Sequence, residues 1–198
     1  MRREKRIELE RLIEQYQTTE QSDIKFVDGR FLRVGRASYT LANGRNIQRE
    51  EFIKNQGFSS ASIILPITES GDVILIVQPR VLTKRQVAIE LPAGYMEENE
   101  FGVAAAAREL REETGYEAQN ITKLTEFYQD SGCSRAVNEC FLATGCLPVC
   151  EQKLDSDEML SLFICQYEEM LELVESDYIN DAGSIITIEK AERLLLRR

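Results

Sequence analysis

Apolar residues recur along the chain with two different periods, which together predict a mixture of helices and strands. In residues 4–17 and 101–114 the apolar positions return every three or four residues, a spacing typical of amphipathic helices. Residues 168–174 and 185–196 show the same spacing near the C-terminus. The sequence therefore predicts four helices, the first of which could pack on a partner subunit.

Short runs rich in Val, Ile and Leu, bounded by turn residues, predict strands between these helices. The first two lie near the N-terminus, separated by Asp28 and Gly29 and ended by Asn43 and Gly44. Because both dipeptides favour tight turns, they indicate a small antiparallel sheet. The predicted strands are residues 24–27, 31–41, 61–67, 73–78, 87–91, 121–128, 139–144 and 159–164.

This order of elements predicts an α/β fold, in which a mixed β-sheet lies between helices and a small N-terminal antiparallel sheet, preceded by a helix, is appended. A chain of 198 residues can form one substantial core and a small accessory unit. We expect the accessory unit in residues 1–56 and the main domain in residues 57–198.

Composition narrows the classes of function. The formal net charge of −10 argues against a nucleic acid polymer as partner, since binding many phosphates needs a basic surface. No apolar run approaches the length of a membrane span or a signal peptide, so we expect a cytoplasmic protein without membrane association. The five cysteines form no C-x-x-C pair, which favours reduced structural thiols over a zinc site.

The absence of histidine limits the chemistry that the chain can perform. It removes the commonest general base and every Ser-His or Cys-His arrangement. Carboxylates must therefore carry any catalysis.

Acidic residues are concentrated in residues 94–116, GYMEENEFGVAAAARELREETGY. Gly94 permits a tight turn before the predicted helix, and Gly115 stands where a left-handed C-terminal cap belongs. We expect the apolar, buried face of this helix to consist of Val103, Ala104, Ala107 and Leu110.

Three carboxylates of this helix are spaced so that their oxygens can converge. Glu109 and Glu113 lie one turn apart, with Glu112 beside them, and Arg108 can pair with Glu112. Like charges at this spacing repel by roughly 0.2 to 0.5 kcal/mol per pair, so a cation is expected between them. Oxygen ligands suit Mg²⁺ or Mn²⁺. The alternative is a solvated, charged helix face.

The same stretch resembles the Nudix box, which has Gly, five residues, Glu, seven residues, Arg-Glu-Leu, one residue, Glu-Glu, one residue, Gly and an apolar residue. Tyr116 stands where an aliphatic residue is more usual. Beyond the box, the chain resembles the ADP-ribose pyrophosphatase branch of the Nudix hydrolases in three segments: QPR at residues 78–80, ELPAG at residues 90–94, and the C-terminal helices in residues 168–191.

This resemblance implies a Nudix-type α/β/α sandwich and metal-dependent hydrolysis of a nucleoside diphosphate sugar, with ADP-ribose giving AMP and ribose 5-phosphate. It also implies a homodimer whose N-terminal sheets help to form each other's substrate sites. The metal ligands it implies are Glu109, Glu112, Glu113 and the backbone carbonyl of Ala93.

The resemblance also implies roles for three residues around the metal ligands. Arg108 would hold the box carboxylates in position, Glu100 would support the loop before the helix, and Arg80 would meet the phosphate or the terminal ribose. For Arg80 the alternative is a structural ion pair at a strand end.

One segment departs from the family pattern. The loop after the box usually reads Ser-Pro-Gly, three residues, then a glutamate, whereas residues 131–136 read SGCSRA and place Ala136 at the glutamate position. Glu139 and Asp130 are candidate replacements, and Glu112 could itself supply the base. Because losing a general base costs about 10² to 10⁴ in rate, a catalytically weak or inactive module that binds a nucleotide as a sensor remains the alternative. Three aromatic residues could stack on a base, but the sequence assigns them no role: Phe31, Tyr39 and Phe58.

Overall fold

The computed structural model of the chain describes residues 3–15, 31–40, 46–54, 60–156 and 158–196. Within these residues the elements follow in the order α1 Arg3–Gln15, β1 Leu32–Thr40, β2 Asn46–Lys54, β3 Ala61–Thr68, β4 Val73–Pro79, β5 Val87–Glu90, β6 Ala93–Tyr95, α2 Gly102–Thr114, β7 Tyr116–Glu117, β8 Asn120–Tyr128, β9 Val137–Pro148, β10 Ser161–Cys165, α3 Tyr167–Glu175 and α4 Ala182–Leu195.

A mixed sheet forms the centre of the main domain. Its strands lie in the order β10, β4, β3, β9, β7, while β5 pairs with β4, β6 with β3 and β8 with β9. The pairing of β3 with β9 is parallel, and the other pairings in this sheet are antiparallel. Strands β3 and β4 are nearly continuous apolar runs, which suits strands that are covered on both faces.

Helices cover the two faces of this sheet and create two apolar clusters. On one face, Leu9 of α1, Met170 and Leu173 of α3, and Ile188 of α4 are buried against β3, β4 and β10. On the other face, Leu110 of α2 and its neighbours pack against the opposite sides of the same strands. The predicted α/β/α arrangement is confirmed.

The prediction for the buried face of α2 was wrong. Val103 is 49% exposed, and Ala104 and Ala107 are also exposed, so that only Leu110 of the predicted face is buried. The buried residues of the helix are Gly102, Ala105, Ala106, Glu109, Leu110, Glu113 and Thr114. Four consecutive alanines give no apolar pattern to orient the helix, and Glu109 and Glu113, which were placed on the side opposite the apolar face, are themselves buried.

Helix α1 packs on its own chain. Leu9 is buried in the main core, and the Gln15 side chain donates a hydrogen bond of 3.0 Å to Ser161 Oγ of β10. None of the helices in the described residues is long and apolar enough to cross a bilayer.

The N-terminal antiparallel sheet contains β1 and β2, paired along nine residues each. Strand β1 matches the strand predicted at residues 31–41, whereas β2 was not predicted. The strand predicted at residues 24–27, the two turn dipeptides and Phe58 lie outside the described residues. The sheet contacts the main domain at the loop after β8, where Phe52 N–H donates to the Cys133 carbonyl at 2.9 Å.

Candidate active site

The site lies where strand β5, the short strand β6 and helix α2 meet. The chain passes from β5 through Leu91 and Pro92 into β6, which pairs with β3, and α2 packs on β3 and β6 before ending at Gly115. Gly115 has φ +76° and donates its N–H to the Arg111 carbonyl at 2.9 Å, which confirms the predicted left-handed cap.

A cavity of about 500 Å³ opens at this junction. Its lining includes Arg80 and Gly94, as well as Arg108, Glu109 and Glu113 of the box. A second cavity of about 520 Å³ lies between the N-terminal sheet and residues 131–135, and it contains none of the predicted site residues. The chemistry expected from the sequence is therefore gathered in the first cavity.

Glu109 and Glu113 form a buried carboxylate pair in the wall of this cavity. Glu109 is 9% exposed and Glu113 is 4% exposed. Burial raises the pKa of Glu113 well above its ordinary value, and the neighbouring Glu109 raises it further. Burial likewise raises the pKa of Glu109, although Arg108 opposes this shift. The Ala93 N–H donates to Glu113 Oε2 at 2.9 Å and fixes that side chain against the strand.

Gly94 is required here by close packing. A Cβ built on Gly94 would lie 2.0 Å from the carboxylate carbon of Glu109, so the Glu109 side chain lies directly against the glycine backbone. No other residue leaves room for this carboxylate.

Arg108 connects the carboxylates of the box. Its Nε and Nη2 donate to the two oxygens of Glu100 at 3.0 and 2.9 Å. Its Nη1 donates to Glu109 at 2.7 Å and to Glu112 at 3.0 Å, and Nη2 also donates to the Tyr95 carbonyl at 3.0 Å. Hydrogen bonding to Glu100 is the largest factor that raises the pKa of Arg108, so this residue stays charged.

Glu100 and Glu112 occupy different positions around Arg108. Hydrogen bonding to Arg108 lowers the pKa of Glu100, which also accepts the Glu97 N–H at 2.9 Å and so closes the loop before α2. Glu112 is partly exposed and faces a neighbouring cavity that Arg111 and Lys153 also line. Thus the structure does not bring Glu112 into the cavity of Glu109 and Glu113.

The donor atoms fit a hard divalent cation. Among the described residues, no three acidic side chains are already arranged around a common metal position. The buried pair of Glu109 and Glu113 nevertheless offers oxygen ligands and raised pKa values, which a cation would relieve by replacing protons. The backbone of Ala93 lies beside Glu113 and can add its carbonyl.

Arg80 lines the same cavity from the end of β4, and it is also ion-paired. Its Nη2 lies 2.8 Å from Glu90 Oε2, and its Nε donates to both Glu90 oxygens at 3.2 Å. Burial acts to lower the pKa of Arg80, but Glu90 outweighs it and the pKa is raised. Arg80 therefore lines the cavity and forms a structural ion pair at the same time.

Two acidic residues of the cavity that lie outside the box were missed by the sequence reasoning. Asp155 and Glu158 come from the segment between β9 and β10, where the Asp155 N–H donates to Glu158 Oε2 at 3.0 Å. Glu158 is close enough to raise the pKa of both Glu109 and Glu113. The only sequence signal was the acidic run before β10, which has no fixed spacing from the box.

The loop residues considered as replacements for the family glutamate lie elsewhere. Ala136 is 7% exposed, and Asp130 is not part of the cavity wall. Glu139 pairs with Lys123 at 3.1 Å and lies against Gly102 at the start of α2.

Of the aromatic candidates, Phe31 lines the cavity and contacts Tyr95 edge to face, with ring centroids 5.9 Å apart. Tyr39 lies in the second cavity, where its hydroxyl accepts a hydrogen bond of 3.0 Å from Arg135.

Comparison with known proteins gives a consistent result. The NUDIX domain model matches residues 58–197. The chain is 38% identical over 151 residues to an ADP-ribose pyrophosphatase of Bacillus subtilis, covering 75% of this chain and 78% of the relative. It is 28% identical over 163 residues to a methanol dehydrogenase activator of Bacillus methanolicus, covering 81% and 85%. It is also 28% identical over 161 residues to a GDP-mannose pyrophosphatase of Yersinia pestis, covering 75% and 78%.

A solved structure described as an ADP compounds hydrolase superposes with a TM-score of 0.72 at 22% identity, covering 86% of this chain and 89% of that one. This match supports the fold. The match to the NUDIX domain model and the 38% identity to the Bacillus subtilis relative show that the chain belongs to the Nudix hydrolase family, in the ADP-ribose pyrophosphatase-like branch.

Proposed function

We propose that this chain hydrolyses the diphosphate linkage of ADP-ribose or a related nucleoside diphosphate sugar, releasing a nucleoside monophosphate and a sugar phosphate. The observation that carries the proposal is the buried pair of Glu109 and Glu113, held against Gly94 in a cavity that Arg80 also lines. The names of relatives that act on ADP-ribose and GDP-mannose support this substrate class.

We assign the metal site to Glu109, Glu113 and the Ala93 carbonyl, with Mg²⁺ or Mn²⁺ as the cation. When bound, such an ion neutralises the diphosphate and activates water for in-line attack on phosphorus. Arg108 holds Glu109 in place through the 2.7 Å hydrogen bond. Glu112 is a further ligand or water-orienting carboxylate in this proposal, provided that it turns away from Arg108.

We assign proton acceptance from water to the segment before β10. Asp155 and Glu158 face the cavity, whereas Ala136 carries no carboxylate and Glu139 is paired with Lys123. Glu158 is the better candidate because its charge acts on both Glu109 and Glu113. Arg80, which lines the same cavity, binds the phosphate or the terminal ribose.

The N-terminal unit, residues 1–56, is assigned to dimerisation and to the substrate site, and residues 57–198 to hydrolysis. The two-stranded sheet of β1 and β2 would be marginally stable without further packing, which supports a homodimer in which it is covered. Phe31, directly before β1, already reaches the cavity wall. The five free thiols support a location in the reducing cytoplasm.

Hydrolysis of a panel of nucleotide sugars and dinucleotides tests the proposal. The reactions contain Mg²⁺ or Mn²⁺, with chelator as the control, and release of nucleoside monophosphate is followed. We expect chelator-sensitive cleavage with preference for ADP-ribose. Binding of ADP-ribose without cleavage of any substrate would contradict it and support a sensor, the alternative that Ala136 favours.

A further inference from the structure

Two sequence motifs outside the box meet at one carboxylate beside the cavity. Strands β4 and β5 pair antiparallel, with Ile76 opposite Glu90 and Gln78 opposite Ala88. This register places Gln78 diagonally across the strand pair from Glu90, two residues along from Ile76. Glu90 Oε2 therefore accepts a hydrogen bond of 3.0 Å from Gln78 Nε2 as well as those from Arg80.

The contacts with Glu90 engage only part of the Arg80 guanidinium. Its Nε and Nη2 are used by Glu90, and the described residues give its Nη1 no hydrogen-bond partner. The Arg80 side chain is about half exposed, while the Glu90 side chain is only 13% exposed. Glu90 is thus screened from the cavity by the arginine that it holds.

We propose that Glu90 is a positioning residue, which fixes the Arg80 guanidinium so that its free Nη1 binds oxygens of the diphosphate substrate, and that Gln78 in turn fixes Glu90. This inference rests on the proposed function. An arginine stem has many rotamers, and ordering it before the substrate arrives removes an entropic cost from binding. Glu90 itself makes no contact with the substrate in this arrangement.

A conservative substitution of Glu90 separates this role from a merely structural one. Glu90→Gln removes the charge and keeps the shape, and Glu117→Gln is the matched control because it removes the carboxylate of an exposed pair with Arg111 at 3.0 Å. We measure KM and kcat for ADP-ribose, and the Kd of α,β-methylene ADP-ribose with Mg²⁺ present. This analogue has a CH₂ group in place of the bridging oxygen.

We expect KM and Kd to rise about tenfold to a hundredfold in Glu90→Gln, as for a lost hydrogen bond between charged groups, with kcat little changed. The control keeps the wild-type values. If Glu90 acts through Arg80, then Glu90→Gln adds nothing to the effect of Arg80→Ala. A purely structural role lowers Tm and leaves KM and Kd unchanged.

Unchanged Kd in a folded Glu90→Gln variant, or full additivity with Arg80→Ala, overturns the proposal. Should Glu90→Gln not fold, Gln78→Ala takes its place, with an expected rise in Kd of about fivefold for a lost neutral hydrogen bond. Unchanged Kd in that variant is equally decisive. Wild-type protein that binds the analogue without cleaving ADP-ribose contradicts the proposed function alone, and the Kd comparison still decides the role of Glu90.

Discussion

Glu113 shows how burial and charge combine at a single residue. Its carboxylate is almost completely removed from water, lies next to Glu109, and accepts a hydrogen bond from the Ala93 N–H. A carboxylate in this setting is costly to ionise unless a cation shares it. Its placement therefore costs stability in the absence of a cation, which agrees with the metal site that we propose.

Replacing Glu113 by Gln tests this explanation. We expect kcat/KM for ADP-ribose to fall at least about a hundredfold, since even residues behind a metal ligand contribute that much. The free energy of unfolding in chelator should stay the same or rise, because the amide keeps the shape and needs no ionisation. Steady-state kinetics and urea unfolding measure the two effects. Wild-type rates in Glu113→Gln would refute the metal site, and the exposed Glu117→Gln serves as control.

Glu158 is the residue to which we assign proton acceptance from water, and its role can be tested against that of Asp155. We expect Glu158→Gln to lower kcat about 10² to 10⁴-fold, the usual contribution of a general base. Asp155→Asn, in the same segment, is the comparison and should cost less, because Glu158 but not Asp155 is among the main charges that raise the pKa of Glu109 and Glu113. Single-turnover kinetics with saturating metal measures the chemical step. A near-normal rate in Glu158→Gln would assign the base elsewhere.

Restoring the family glutamate at Ala136 should not help. Ala136 is buried, so Ala136→Glu places a larger, charged side chain in a space that holds a methyl group and destabilises the fold. We expect a loss of about 1 to 3 kcal/mol in the free energy of unfolding and no gain in kcat. A rise in kcat would show that the loop after β8 still reaches the substrate.

At the level of elements, the sequence predicted those whose pattern is local. Strands β3 and β4 and helix α2 follow from apolar runs, helical spacing and glycine positions. Strand β2 was missed because NIQREEFIK is mostly polar, and its pairing with β1 decides its structure. The acidic residues before β10 were missed for a related reason, since only folding brings them to the box helix.

The segment after β9 is docked on the C-terminus of α2. Val149 N–H donates to the Gly115 carbonyl at 2.9 Å, and Lys153 N–H donates to the Glu112 carbonyl at 2.8 Å. The Gln152 side chain donates to the Glu113 carbonyl at 2.6 Å. These bonds satisfy carbonyls that a helix end leaves free, and they place the segment that carries Glu158 beside the carboxylate pair.

Two glycines in the left-handed backbone conformation allow the docking of this segment on α2 to be tested. Gly115 has φ +76° and a Cβ there would lie 2.3 Å from the Cys150 carbonyl oxygen, whereas Gly71 has φ +89° and open space around it. Gly71→Ala should cost about 1 to 2 kcal/mol for left-handed strain alone. Gly115→Ala should cost about 1 to 3 kcal/mol more because the docked segment must move, and it should also lower kcat. Urea unfolding in chelator gives the difference, and equal losses would contradict it.

For the whole molecule, the site joins parts that are distant in the sequence. The end of β4, the segment from β5 to β6, helix α2 and the segment before β10 all contribute to one cavity. A ligand that binds only this assembled cavity stabilises the entire fold by mass action. The free energy of unfolding therefore reports whether the buried carboxylates are protonated or bind a cation.

The raised pKa of Glu113 should make the free energy of unfolding in chelator depend on pH. The pKa of Glu113 is raised above its ordinary value of 4.5, so the folded state holds a proton that the unfolded chain releases. Its contribution to stability is present below pH 4.5 and is lost as pH rises through the folded pKa. Glu100, whose pKa is lowered, acts in the opposite sense only towards acid pH. Burial also raises the pKa of Asp181, which acts in the same sense as Glu113, so in the range from pH 5 to 8 the contribution of Glu113 is obtained by comparison with Glu113→Gln.

In that range we expect the free energy of unfolding of the metal-free protein to fall as pH rises, and Glu113→Gln to flatten the slope. Mg²⁺ should stabilise the wild type increasingly with pH, since the cation replaces the proton that is lost, and should stabilise Glu113→Gln much less. Urea unfolding at several pH values, with chelator or Mg²⁺, measures both effects. Equal slopes for the two proteins in chelator would mean that Glu113 is already ionised without a cation, which would remove the physical reason for placing the metal between Glu109 and Glu113.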